Sequence, residues 1–273
     1  MGAIIKNELV RIIHDKKIYI FLGILAVIAI ATAVGLEGLG KVAEKTMENG
    51  NSSQVMGEEV SVEIALMNAQ NYPRILLGFV IDFVLPVMIV VLLAEIITGD
   101  IADGKMRYTL VGPISRWKII LGKSMAVMTI IMFLMGFMLI ISYISGNVFM
   151  KSGMYTTDKG ILQGTSAIFH TLGVYLKSYL VLAIFTVTFT PIALVFKKRT
   201  SMIMVSVAII IGSTFVQFLW KDLSKYLITT YFKAFTSMVS RSIRIEEGII
   251  FFVYVVISVI LTVVVFNKKE VTE

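Results

Sequence analysis

Apolar residues in this chain gather into six long runs, at 18–36, 75–97, 119–144, 172–196, 201–219 and 248–266. Each reaches the ~20 residues that a helix needs to cross a hydrocarbon core of ~30 Å. In lipid the helix is the forced conformation, because it satisfies its own backbone hydrogen bonds. Six membrane-crossing helices are therefore predicted. Ahead of the first, residues 2–17 gather Ile5, Leu9, Ile12 and Ile13 on one stripe, while Lys6, Asn7, Arg11, His14 and Asp15 lie mostly elsewhere. That pattern predicts an amphipathic helix in the membrane interface. It serves either as an anchor alone or also as a contact for a partner.

The polar connections differ in kind. Residues 37–74 are acidic and turn-rich, with Asn49-Gly50-Asn51-Ser52-Ser53 at their centre, and are expected to form a solvated loop. In 220–247, Leu223, Leu227, Tyr231, Phe235 and Met238 recur every three to four residues, which allows a helix with an apolar face. One placement for it is the surface of the outer leaflet.

Composition agrees with the pattern. With 57% apolar residues and a mean hydropathy of +0.88, the chain lacks the polar surface a soluble domain needs. Its 273 residues hold six spans and modest loops, so residues 1–273 are expected to form one all-α transmembrane domain. The net charge of +7 lies beside the spans and follows topology; no nucleic-acid partner is expected. With both termini inside, the inner segments carry 13 Lys and Arg in 49 residues, against 10 in 93 outside. That asymmetry favours cytoplasmic termini, although the last outer segment carries five. Lys16-Lys17 and Ala31-Thr32-Ala33 imitate a signal peptide, but the intervening run is too long, and a retained span is expected. The absence of Cys excludes thiol catalysis and disulfides.

The segment between the second and third runs is the most ordered polar stretch. An acidic Asp100 is followed by three residues, Gly104, two residues, Arg107, five residues, and then Pro113-Ile-Ser115-Arg116, with Lys123 seven residues on. That frame resembles the cytoplasmic loop between the second and third spans of type-2 ATP-binding-cassette (ABC) permeases. Glu and Gly-Thr are usual there; here Asp100 and Gly104-Lys105 take their places. The resemblance implies that Asp100, Asp103, Gly104, Lys105, Arg107, Pro113, Ser115 and Arg116 couple the spans to a cytoplasmic ATPase. It also implies two such ATPase subunits holding ATP and Mg²⁺, a second permease subunit, identical or related, and a bacterial cytoplasmic membrane. The amphipathic N-terminal helix would be an elbow that also touches the ATPase. Short external or re-entrant helices would fall at 220–247, with Tyr231 and Phe235 as outer-gate residues. The residues also allow a plainer reading. Pro113 stops a helix, Ser115 caps the next, Ile114 and Ile119 form a staple, and Trp117 with Lys118 anchors the interface.

Nucleotide is not expected in this chain. Gly35–Val42 nearly matches a P-loop, but Val42 lacks the hydroxyl for Mg²⁺, and Gly122-Lys123-Ser124 lies within a span. Glu246-Glu247 with His170 imitates an intramembrane metalloprotease, yet all three fall at outer ends of spans, and His14 falls on the other side. The intramembrane charges Asp82 and Lys177 fall at similar depth and form either a structural ion pair or, with Gln217, the lining of an export pathway. Pro86 and Pro191 can kink their helices. The function implied is the membrane subunit of an ABC exporter for a small or amphipathic cargo. The competing reading is a membrane immunity or sensor protein that binds a peptide or toxin outside.

Overall fold

The computed structural model describes residues 2–48, 68–106, 116–157, 160–162, 164–232, 234–236 and 244–268. Helix α1 (Gly2–His14) is the amphipathic element. Lys16, with φ of 57°, turns the chain into α2 (Lys17–Glu48). α2 runs past the apolar stretch because Leu39, Ala43, Glu44, Lys45 and Met47 are good helix formers, so helix occupies ground expected to be loop.

The second span is not one helix. It consists of α3 (Tyr72–Ile81), α4 (Val84–Leu93), a π-helical turn (Ala94–Thr98) and α5 (Gly99–Ala102). Pro86 has no N–H for the carbonyl of Asp82, four residues back, and its ring crowds that group. The ladder breaks at Asp82–Phe83, where Phe83 takes φ −133°. Then follow α6 (Arg116–Phe149), a small antiparallel hairpin of β1 (Tyr155–Thr157) and β2 (Gly160–Leu162), α7 (Thr165–Val195), α8 (Arg199–Leu219), the single turn α9 (Lys221–Ser224), a 3₁₀ turn (Ile228–Tyr231) and α10 (Ile245–Lys268). Among the described residues, six helices are long and apolar enough to cross a membrane.

The hairpin has no strand signal in the sequence, and the described part of 220–244, whose spacing allows a helix, holds the single α-helical turn α9 and a 3₁₀ turn in place of one continuous helix. The second span is the hub. Its apolar stretch is 72% buried, against 17–22% for α2, α8 and α10, which therefore carry the outward-facing apolar surface. Around the hub, α2 packs on α6, and α7 packs on α10. Arg74 and Asn68 tie the N-terminal end of the hub to the hairpin segment: Arg74 donates to the Thr156 carbonyl at 3.1 Å, and Asn68 donates to that of Met154 at 3.1 Å.

Candidate functional site

Two polar constructions among the described residues hold the site residues that the sequence points to. The first lies at the end that carries both termini. Helix α1 lies against α6 at Gly122, where any Cβ would come within 2.9 Å of Ile4 Cγ2. This close approach carries Glu8 and Arg11 to Lys123 of α6 and to Asp100 of α5. The Lys123 ammonium, 2% exposed, donates to Glu8 Oε1 at 2.5 Å, to Asp100 Oδ2, and to the Ile96 carbonyl at 3.1 Å. All three of its donors are thereby used. Arg11 donates to Asp100 Oδ1 at 2.8 Å, to Glu8 Oε2 at 3.2 Å and to the Glu95 carbonyl at 3.2 Å. Two carboxylates meet two cations, so the charge closes to zero, as buried ionic groups require. Burial alone would lower the pKa of Arg11, but Asp100 and then Glu8 outweigh it and raise it.

The π turn belongs to the same construction, since its Glu95 and Ile96 carbonyls accept from the two cations. Such turns occur often at functional sites. Around the rim, Glu95 pairs with Lys17 at 2.8 Å, Asp103 pairs with Arg199 at 2.7 Å, and Thr98 donates to the Ala193 carbonyl at 2.7 Å. Residues 95–103 are thus bonded to α1, α2, α6, α7 and α8. Beyond them Gly104 turns the chain at φ +69°, a conformation strained for other residues. The hydrogen bond from Lys105 and the charge of Arg199 hold the Asp103 carboxyl below the usual range.

The rim and centre of the cluster differ in energetics. The Arg199–Asp103 pair is over a third exposed on both sides, and exposed pairs add little to stability because water screens them. Arg199→Ala should therefore shift the melting temperature only slightly, as read by scanning fluorimetry of the purified chain.

The second construction is at the opposite end, at the Asp82–Phe83 break. A cavity of about 630 Å³ opens there between the second span, α8 and the 3₁₀ turn. Asp82 and Gln217 both line it, and Gln217 donates to Thr229 Oγ1 at 2.7 Å. Lys177 instead lines a smaller apolar cavity, with its nitrogen 5.9 Å from the centre of the Phe235 ring. The structure thus brings Asp82 and Gln217 together and sets Lys177 apart, and the salt bridges of the described residues include no Asp82–Lys177 pair. Tyr231 and Phe235 are buried, with the Tyr231 ring 5.0 Å from that of Phe251. Thr236 lies against Gly78 of α3. Residues 228–232 and 234–236 consequently pack inward on the spans.

His170 bonds through Nδ1 to the Tyr155 hydroxyl at 2.9 Å, while Glu247 accepts from the Arg244 N–H at the start of α10. The protease-like constellation is not assembled among the described residues. The profile of the family described as ABC-2 family transporter protein matches residues 2–271. The chain belongs to the ABC-2 transporter family. No curated protein gives a significant match. In this ABC-2 permease the inner cluster occupies the position that the coupling frame marked. Asp100 is 4% exposed and bonded on both oxygens, so its carboxylate is taken up within the cluster. Asp103 and Lys105 are exposed beyond it. Arg107, Pro113 and Ser115 lie outside the described residues, as does the side chain of Arg116, which opens α6.

Glu8 was missed by sequence reasoning. The available signal was an acidic residue beside Leu9 on an apolar stripe, together with a Lys inside a span that had to find a counter-charge.

Proposed function

We propose that this ABC-2 permease is the membrane-spanning subunit of an exporter that works with two cytoplasmic ATPase subunits and a second permease copy. The membrane is the bacterial cytoplasmic membrane. The cargo is small or amphipathic. The observation that carries the reading is the neutral, fully bonded cluster of Glu8, Arg11, Asp100 and Lys123 at the root of the 99–118 segment. A push on that segment cannot be absorbed locally, because its root is bonded to α1 and α6 and, through the rim, to α2, α7 and α8. ATP-driven closure of the ATPases would then move spans as packed bodies, as in other rigid-body switches. Asp103, Gly104, Lys105, Arg107, Pro113, Ser115 and Arg116 make the contact in this scheme, while Asp100 fixes it. Tyr231 and Phe235 close the outer end.

The test is affinity purification of the tagged chain from its native membrane. A separate ATPase subunit should accompany it, and the chain stripped of that subunit should neither bind nor hydrolyse ATP. Hydrolysis by the isolated chain would refute the assignment. So would full function in cells depleted of the ATPase, the result expected of a stand-alone binder.

A further inference from the structure

The smaller cavity, about 270 Å³, is a groove with a polarity along its length. Helix α7 supplies one wall through Lys177, Leu180, Val181, Ile184 and Val187, and α10 faces it with Phe251 and Val255. Steps of three and four residues put the α7 positions on one stripe. Among the described residues that line the groove, Lys177 is the one charged side chain, and it stands at the N-terminal end of that stripe. Leu176 and Leu180 of α7 and Phe252 of α10 are exposed around it. The groove therefore opens on the apolar surface that lipid covers.

Depth decides what Lys177 meets. At ~1.5 Å per residue it lies about 27 Å along α7 from Val195, the last residue of that helix. A hydrocarbon core is ~30 Å thick. With Val195 at the boundary on the side of the termini, Lys177 reaches the opposite boundary and Val187 lies near the midplane. Side chains of a helix lean toward its N-terminus, so the ammonium is directed to the headgroups of that leaflet. The stripe from Lys177 to Val187 covers about 15 Å, one leaflet's share of the core.

The ammonium stands 5.9 Å from the centre of the Phe235 ring. A ring face attracts a cation but carries no net charge to neutralise it. The salt bridges among the described residues do not include Lys177. A cation beside lipid is costly until an anion or water meets it.

We propose that this groove binds an anionic phospholipid of the leaflet opposite the termini, with its phosphate on Lys177 and one acyl chain along the stripe. Such a lipid matches the groove in order, with charge at the boundary and then apolar wall down to the midplane. A zwitterionic phospholipid brings the same phosphate together with its own ammonium, so it gains less from Lys177. The lipid is a bound ligand of the fold, apart from any cargo, and the site stands whether or not an ATPase joins the chain.

Native mass spectrometry tests this on the purified chain, released from micelles that contain equal amounts of phosphatidylglycerol and phosphatidylcholine with the same acyl chains. The first retained lipid should be phosphatidylglycerol by at least about fivefold. Lys177→Gln should remove most of that preference, and Lys177→Arg should retain it. Lys225→Gln, at an exposed position beside Asp222, should leave it unchanged. Ala183→Trp fills the groove and leaves the charge in place, so it should lower retention of phosphatidylglycerol. Equal retention of the two lipids by the wild-type chain overturns the proposal without recourse to any variant. So does an unchanged preference in monodisperse Lys177→Gln, or unchanged retention in Ala183→Trp. Displacement of the lipid by excess inorganic phosphate would reveal a site for the free anion and overturn it as well.

Discussion

Lys123→Met is expected to cost the bundle about 3 kcal/mol or more, the range seen when one partner of a buried ion pair is removed. The methylene stem is nearly conserved, so the change isolates the charge. Glu8 and Asp100, 8% and 4% exposed, would keep Arg11 as their shared cation but lose the ammonium between them. One uncompensated negative charge would then remain in a water-poor site. The carbonyl of Ile96 would lose its donor as well, loosening the π turn. Combining Lys123→Met with Asp100→Asn restores neutrality, because Glu8 and Arg11 then balance. The double variant should recover over half of the lost stability, even though it removes more native groups than the single one. The measurement is the monodisperse fraction after detergent extraction, together with the melting temperature of what survives. Additive losses would mean that the two residues do not share a site. The contrast with Arg199→Ala is part of the test, since rim and centre differ mainly in exposure to water.

The parts of the architecture that depend on length and periodicity were legible in the sequence. Six runs of about 20 apolar residues specify six helices because lipid leaves the backbone no other partner. The amphipathic stripe of residues 2–17 likewise specified α1. What it did not specify was the neighbour of α1. Ile13, on the apolar stripe, is exposed, while Glu8, three residues after Ile5 on the same face, is buried, because the helix lies on α6 and turns a carboxylate toward Lys123. Pairing across 115 residues leaves no trace in local spacing. The same limit explains Asp82 and Lys177. Depth along two helices is readable from position, but rotation about the helix axes is not, and rotation places the two residues in different cavities. Pro86 announced a disturbance of the second span. That it opens a cavity at Asp82 depends on α8 and the 3₁₀ turn arriving there, a tertiary event. The stretch 220–236 misled for a related reason. Its apolar residues recur at helical spacing, yet Tyr231, Phe232 and Phe235 are buried against α7 and α10 from short turns.

Arg107→Glu is expected to abolish ATPase co-purification while leaving the chain inserted and folded. Insertion should survive because twelve other Lys and Arg remain in the inner segments and continue to set topology. Folding should survive because the root of the segment is held by Asp100, Lys123, Arg11 and Glu8, four groups that do not include Arg107. The partner surface is expected to be acidic where Arg107 meets it, and charge reversal places like charges together at a cost of several kcal/mol. A complex of micromolar affinity or tighter rests on roughly 8 kcal/mol or more, so such a cost brings it to dissociation under purification conditions. Lys269→Glu makes the same change of net charge at the C-terminus and should behave like wild type. The decisive readout is ATPase recovery from membranes that contain equal amounts of the three proteins, with cargo transport measured beside it. If Arg107→Glu recovers as much ATPase as the control, the 99–118 segment is a turn between spans, and the buried cluster beneath it serves stability alone.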